Sequence, residues 1–267
     1  MIKDITIGQY VPGDSFIHKL DPRTKILISI LFIVDIFLIK SFWGYLFVVL
    51  FIGSILYVSK LSPKYLFKGL KAIFVLVLIT AMLNIFMIKG ETLLFKWGFL
   101  EIYTEGLRTA GFMILRLIFL ISGTSLLTLT TSPIELTDGI ERLLNPFKKI
   151  GLPAHELAMM MTIALRFIPT LMDETDKIMK AQMARGADFE SGGIIQKAKS
   201  LIPLLVPLFI SSFRRADELA NAMEARCYRG GEGRTRMKIL KMEKRDTVAF
   251  IMFALFAVAS IGIKYVV

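Results

Sequence analysis

The chain has 267 residues, 55% of them hydrophobic and 21% charged, with a mean hydropathy of +0.63. Soluble domains are about 45–50% apolar, so the composition points to a helical membrane protein, and the lone Cys227 excludes an intrachain disulfide and any cysteine-based metal cluster. The formal charge of +11 comes from 33 Lys and Arg against 22 Asp and Glu. In a membrane protein such an excess belongs on the cytoplasmic side, and no nucleic-acid partner is needed to explain it.

Residues 1–13 are polar and mixed in charge. They lack the apolar core of a signal peptide, so the first hydrophobic segment is expected to remain as an uncleaved anchor. Asp21-Pro22 reads as its N-cap and first helical residue. Apolar segments run over about Ile26–Ile39, Trp43–Val58, Ala72–Ile88, Ala110–Thr130 and Val248–Ile263. Several lie at the lower edge of the length that crosses a bilayer, so flanking polar residues or local thinning must contribute. Lys3, Lys19, Arg23 and Lys25 precede the first segment, and Lys60, Lys64, Lys68 and Lys71 follow the second with no acid between them. The positive-inside rule then puts the N-terminus and the second link in the cytoplasm and the C-terminus outside.

Three intramembrane polar residues stand out: Asp35, Asn84 and Arg116. Such groups face protein or water. Asp35 and Arg116 are possible partners, and Asn84 has the chemistry to hydrogen-bond across helices.

The stretch from about Thr131 to Arg245 is too long for a simple link and carries a helical pattern. Ser132, Pro133 and Glu135 form a capping-box signature. Asn145-Pro146 and Gly151-Leu152-Pro153 break the chain. A helix begins near Ala154 and ends at Gly186, with Met160, Met161 and Leu165 on its apolar stripe. After a turn at Gly192-Gly193 another helix is expected over about Ile194–Cys227, with Leu204, Leu205 and Leu208 on its stripe. Pro169, Pro203 and Pro207 should bend the pair. Arg229–Arg236 is glycine-rich and basic, hence a loop. The predicted organisation is all-α: a membrane domain over 1–130, a cytoplasmic helical domain over 131–245, and a final span over 246–267.

Both long helices end in a similar tripeptide, Ala184-Arg185-Gly186 and Ala225-Arg226-Cys227. A single arginine at a helix C-terminus is an ordinary electrostatic choice. Two such endings, each with small neighbours, leave two planar guanidinium forks accessible to carboxylates or carbonyls. A helix of about 34 residues would hold them tens of ångströms apart, too far for one small site. Two equivalent sites on a two-subunit partner would suit both.

Catalytic signatures are missing. His155-Glu156 lacks the second histidine of a zinc motif, and there is neither a phosphate-binding Gly-x-x-x-x-Gly-Lys-Ser/Thr loop nor a Gly-x-Ser-x-Gly elbow. His18 and His155 are lone histidines, expected to pack or hydrogen-bond rather than bind metal. A self-sufficient permease or channel, or an intramembrane enzyme, is the alternative class, but only isolated polar residues lie along the spans.

Taken together, Pro12-Gly13-Asp14-Ser15, His18 to Lys25, Thr131 to Leu136, Arg166-Phe167-Ile168-Pro169, the two Ala-Arg tripeptides and Tyr228-Arg229-Gly230-Gly231 resemble the transmembrane T component of energy-coupling factor (ECF) transporters. These form the vitamin-uptake branch of the ATP-binding cassette importers. The resemblance implies a multi-pass protein of the cell membrane, about five spans with two cytoplasmic coupling helices, and no catalysis of its own. It implies a small membrane S component and two ATPase subunits, alike or different, as partners, with ATP and Mg bound there and not here. Arg185 and Arg226 would each dock in an ATPase groove. The methionine- and leucine-rich stripes would pack against each other or the S component. Cys227 stands where the family's second signature often has glycine, so the second helix end is expected to lack the C-cap that Gly186 gives the first.

Overall fold

Asp21 caps the first helix of the computed structural model, its carboxylate accepting from the Arg23 N–H at 2.9 Å with Pro22 at the first helical position. The structure describes residues 10–97, 100–189, 193–231 and 240–263. In chain order these form α1 (Pro22–Leu38), α2 (Phe42–Ser59), α3 (Lys64–Met87), β1 (Leu93–Trp97), β2 (Leu100–Tyr103), α4 (Thr104–Thr130), α5 (Pro133–Leu144), a 3-10 segment (Asn145–Ile150), α6 (Ala154–Ala184), α7 (Ile194–Ser200), α8 (Ile202–Ala225) and α9 (Lys244–Gly262). Residues 1–9, Gly192, residues 232–236 of the basic loop and the C-terminal Val267, which enter the sequence reading, lie outside the described residues. Contacts divide the described chain into two compact units, residues 10–139 with 240–263, and residues 140–231. The division falls inside α5.

The first unit holds α1 to α4 and α9. Phe32 and Ile36 of α1, Tyr45, Val48 and Ile52 of α2, Phe119 and Leu126 of α4 and Phe253 and Phe256 of α9 meet in one buried cluster. Rings stack within it, Phe51 on Phe256 at 4.2 Å between centroids. The outer faces are as apolar as the core: Leu50, Leu255 and Val258 are all more than 60% exposed. A surface of that kind is stable in lipid and not in water. Between helices in lipid, close packing replaces hydrophobic driving force, and α3 and α4 meet at Gly106, where a β-carbon would lie 3.1 Å from the carbonyl oxygens of Asn84 and Ile88.

The five apolar segments each coincide with a helix, but their capacity to cross differs. Among the described residues α2, α4 and α9 are long and apolar enough, and α3 makes a fourth if its two parts, inclined at 59°, form one span. The 17 residues of α1 extend about 25 Å, short of a hydrocarbon core of about 30 Å. The all-α expectation of about five apolar helices holds: three or four are candidate spans by length and apolarity, and α1, at the lower edge of spanning length, packs on α4 and α9. The antiparallel hairpin β1–β2, between α3 and α4, was not expected.

The second unit holds the rest of α5, the 3-10 segment and α6 to α8. Ser132 does cap α5, its hydroxyl accepting from the Glu135 N–H at 3.3 Å. The single helix expected over Ile194–Cys227 is two helices, broken at Leu201. Pro203 lacks an N–H and cannot donate to the Lys199 carbonyl four residues back, so it stands in the first turn of α8, where no such donor is needed, instead of bending a longer helix. Pro169 and Pro207 are inside α6 and α8, which continue through them.

Candidate functional site

Helices α6 and α8 run antiparallel. Gln182 near the end of α6 donates to the Pro203 carbonyl at the start of α8, at 3.4 Å. Midway, Glu174 accepts from Ser211 and from Arg215. At the other end His155 of α6 meets the Tyr228 hydroxyl just beyond α8, at 3.3 Å. This antiparallel pairing sends the two C-termini to opposite ends of the pair. Some 27 residues of α6 separate the two outer contacts, so Arg185 and Arg226 are on the order of 40 Å apart along the helix at 1.5 Å per residue.

Both arginines are exposed, and among the described residues neither forms an ion pair. Each terminates its helix in the same way. After α6 the Gly186 N–H bonds to Met183 O and the Ala187 N–H to Gln182 O, both at 3.0 Å, with Gly186 at φ +89°. After α8 the Cys227 N–H bonds to Glu224 O at 2.8 Å and the Tyr228 N–H to Met223 O at 3.0 Å, with Cys227 at φ +55°. These are Schellman caps. The expectation that Cys227 would leave the second end without such a cap is corrected: cysteine takes the left-handed conformation, at the steric cost of its β-carbon. Ala184 and Ala225, the last helical residues, are exposed as well.

The six stripe residues separate. Leu204 is buried, Met161, Leu165 and Leu208 are half-buried, and Met160 and Leu205 are exposed. The Glu174–Ser211–Arg215 cluster was missed in the sequence, although its signal was there. Glu174 falls three residues after Leu171 and four before Ile178, on the apolar stripe of α6, and Ser211 and Arg215 fall between Leu208 and Leu219 on that of α8. A polar residue on an apolar stripe predicts a buried partner. His155, read as a lone histidine, also has a carboxylate neighbour, its Nδ1 being 3.1 Å from Glu141 Oε1.

In the membrane unit the possible Asp35–Arg116 pair does not form. Both Asp35 oxygens lie 3.1 Å from the Ser260 hydroxyl of α9, while the Arg116 guanidinium lies over the Phe37 ring at 5.0 Å. Phe37 follows Asp35 by two residues, about 200° around the helix, so the two groups face opposite sides of α1. Asn84 does not reach across helices through its amide; Nδ2 donates to Thr80 O within α3 at 2.7 Å. His18 hydrogen-bonds to Ser15 and to Val11 O. Among the described residues no group of acidic, histidine or cysteine side chains could hold a metal ion.

Fold and site together define an all-α, multi-pass membrane protein that carries a helical unit ending in two matched, exposed arginines. Residues 13–238 match the CbiQ family, described as a cobalt transport protein, and the chain belongs to that family. Relatives named energy-coupling factor transporter transmembrane protein EcfT include one from Clostridium kluyveri, 74% identical over 93% of both chains. A second, from Thermosediminibacter oceani, is 62% identical over 99% of this chain and 100% of its own. A third, from Bacillus subtilis, is 51% identical over 96% and 97%. The chain is thus a transmembrane energy-coupling component of an ECF transporter, a subunit without catalysis of its own.

Proposed function

We propose that this chain links two ATPase subunits to a small membrane S component that captures a vitamin or related micronutrient, and that Arg185 and Arg226 are the two ATPase contacts. The observation that carries this reading is the repetition of one cap, with one exposed arginine, at opposite ends of the α6–α8 pair. Two like sites tens of ångströms apart suit a partner with two like subunits. The guanidinium forks would enter carboxylate- or carbonyl-lined grooves. ATP and Mg would be held by those partners, and their closure would displace the helix pair. Exposed Met160 and Leu205, with the half-buried residues beside them, would serve as an adaptable apolar surface for the S component. The lysine- and arginine-rich links support a cytoplasmic N-terminus, a cytoplasmic 131–245 segment and a C-terminus outside.

The test is a set of arginine replacements in the assembled transporter. A charge-assisted contact contributes about 1.5–3 kcal/mol, so Arg185→Ala or Arg226→Ala should each weaken ATPase association by roughly 10- to 100-fold. Glutamate should be worse than alanine, and membrane insertion should be unchanged. A double variant that retains both ATPases and normal uptake would sink the docking role.

A further inference from the structure

The two arginine ends share a cap but differ in what stands behind it. Behind Arg185, a long side-chain bond ties Gln182 of α6 to Pro203 O of α8. Behind Arg226 three residues from distant parts of the chain converge. Tyr228 belongs to the cap itself through its N–H to Met223 O. Its hydroxyl reaches His155 Nε2, and His155 Nδ1 reaches the largely buried Glu141 carboxylate. A carboxylate only accepts, so Nδ1 carries a hydrogen and faces Glu141. With the second hydrogen absent, Nε2 is the acceptor for the Tyr228 hydroxyl. The chain beyond Tyr228 folds onto the same ring. Gly230 turns it at φ +86°, and a β-carbon on Gly231 would sit 2.6 Å from His155 Cδ2 and 2.7 Å from Cγ.

We propose that His155, oriented by Glu141, is a positioning residue that fixes Arg226 through Tyr228. The proposal rests on the reading of Arg226 as an ATPase contact. Two residues past Arg226, the Tyr228 ring is fastened to the second residue of α6, so a displacement at Arg226 is delivered to the start of α6 as well as along α8. The backbone cap by itself fixes only the end of α8. The clasp sets where that end points, and it accounts for Tyr228, Gly230 and Gly231 as a unit.

Cys227, the chain's one cysteine, is exposed and lies between Arg226 and Tyr228, so a nitroxide attached there reports the motion of this end in the full-length chain in lipid nanodiscs. Tyr228→Phe removes only the hydroxyl, and His155→Ala removes the ring. Both should add a fast-moving component to the label spectrum while helix content stays constant. In the unlabelled, assembled transporter Tyr228→Phe should weaken ATPase association by about two- to tenfold, the effect of one neutral hydrogen bond. A label equally immobile in wild type and both variants overturns the clasp, whatever Arg226 binds. A freed label with unchanged ATPase association in Tyr228→Phe, alongside weakened association in Arg226→Ala, overturns the positioning role. Unchanged association in Arg226→Ala overturns the docking reading and this role with it, while the label spectra still report whether the clasp exists.

Discussion

Arg185 and Arg226 occupy the same backbone conformation, φ −89°, ψ 6° and φ −92°, ψ 14°, each one residue ahead of a left-handed residue. The left-handed residue is Gly186 in one case and Cys227 in the other. Glycine adopts it without strain, whereas a β-carbon there costs about 1–2 kcal/mol. Cys227→Gly should therefore tighten its cap and Gly186→Ala should loosen the other, each by about 1 kcal/mol. Amide exchange at Tyr228 and Ala187, the last donors of the two caps, measures this directly. Slower exchange at Tyr228 and faster exchange at Ala187 is expected. A shift of both in one direction contradicts a shared cap.

Acid should weaken the membrane unit in two steps. Burial pushes the His18 imidazole below its ordinary value of 6.5, the nearby Lys25 charge adds to this, and the pull of the Val11 carbonyl and Asp14 does not overcome it. Val11 O needs a hydrogen on Nε2, so Ser15 donates to Nδ1, and protonation removes that acceptor. Because the folded value is lowered, the contribution is complete above pH 6.5 and is lost as pH falls through the folded value. Burial alone would push the Asp21 carboxyl up, but the hydrogen bonds and charge of Arg23 outweigh it and hold the group below 3.8. That contribution is complete above pH 3.8 and is lost on further acidification. His18→Gln should flatten the upper step and Asp21→Asn the lower one in thermal midpoints measured against pH in detergent. A midpoint that rises on acidification through either window would refute the assignment.

What could be read in the sequence was what is local. Asp21-Pro22, Ser132-Pro133 and the apolar segments are decided within a few residues, and each stands where the pattern puts it. Lipid-facing helices must be apolar all round, so their existence is legible even where their span is not. The break at Leu201 was read as a bend, because Pro203 two residues on sits in a continuous apolar stripe and a proline there signals either. The tertiary pairings were hidden because their partners are remote: Asp21 with Asp246 and Asp35 with Ser260 are 225 residues apart, and His155 with Tyr228 73 apart. Depth along a span does not fix which side of a helix a residue faces, and that decided the partners of Asp35 and Arg116.

Asp35 and Ser260 fasten α1 to α9 inside the membrane unit. Asp35 is buried, and the Ser260 hydroxyl contacts both its oxygens. Ser260→Ala leaves the acid without that donor and should cost about 1–3 kcal/mol. Asp35→Asn keeps a hydrogen-bonding group against the serine and should cost less. Removing both, as Asp35→Leu with Ser260→Ala, should cost less than the sum of the separate changes, since no orphaned polar group remains. Thermal unfolding of the four proteins in one detergent gives the coupling. Strict additivity would mean that the two side chains do not interact.

Gly106 offers a sharper contrast, because glycine is required there and not at Gly53. A β-carbon at Gly106 would lie 3.1–3.2 Å from three carbonyl oxygens, of Asn84, Ile85 and Ile88. Those are backbone atoms of the last turn of α3 and its cap, and they cannot swing aside as a side-chain tip can. Gly106→Ala must therefore push α3 and α4 apart, at a cost of about 1–3 kcal/mol for overpacking. At Gly53, in the middle of α2, nothing lies within 4 Å of the added carbon. There alanine should stabilise by about 0.5–1 kcal/mol through lower chain entropy in the unfolded state. Melting temperatures in one detergent should thus move in opposite directions for the two glycine-to-alanine changes. A neutral or stabilising Gly106→Ala would show that the α3–α4 crossing is looser than these distances require.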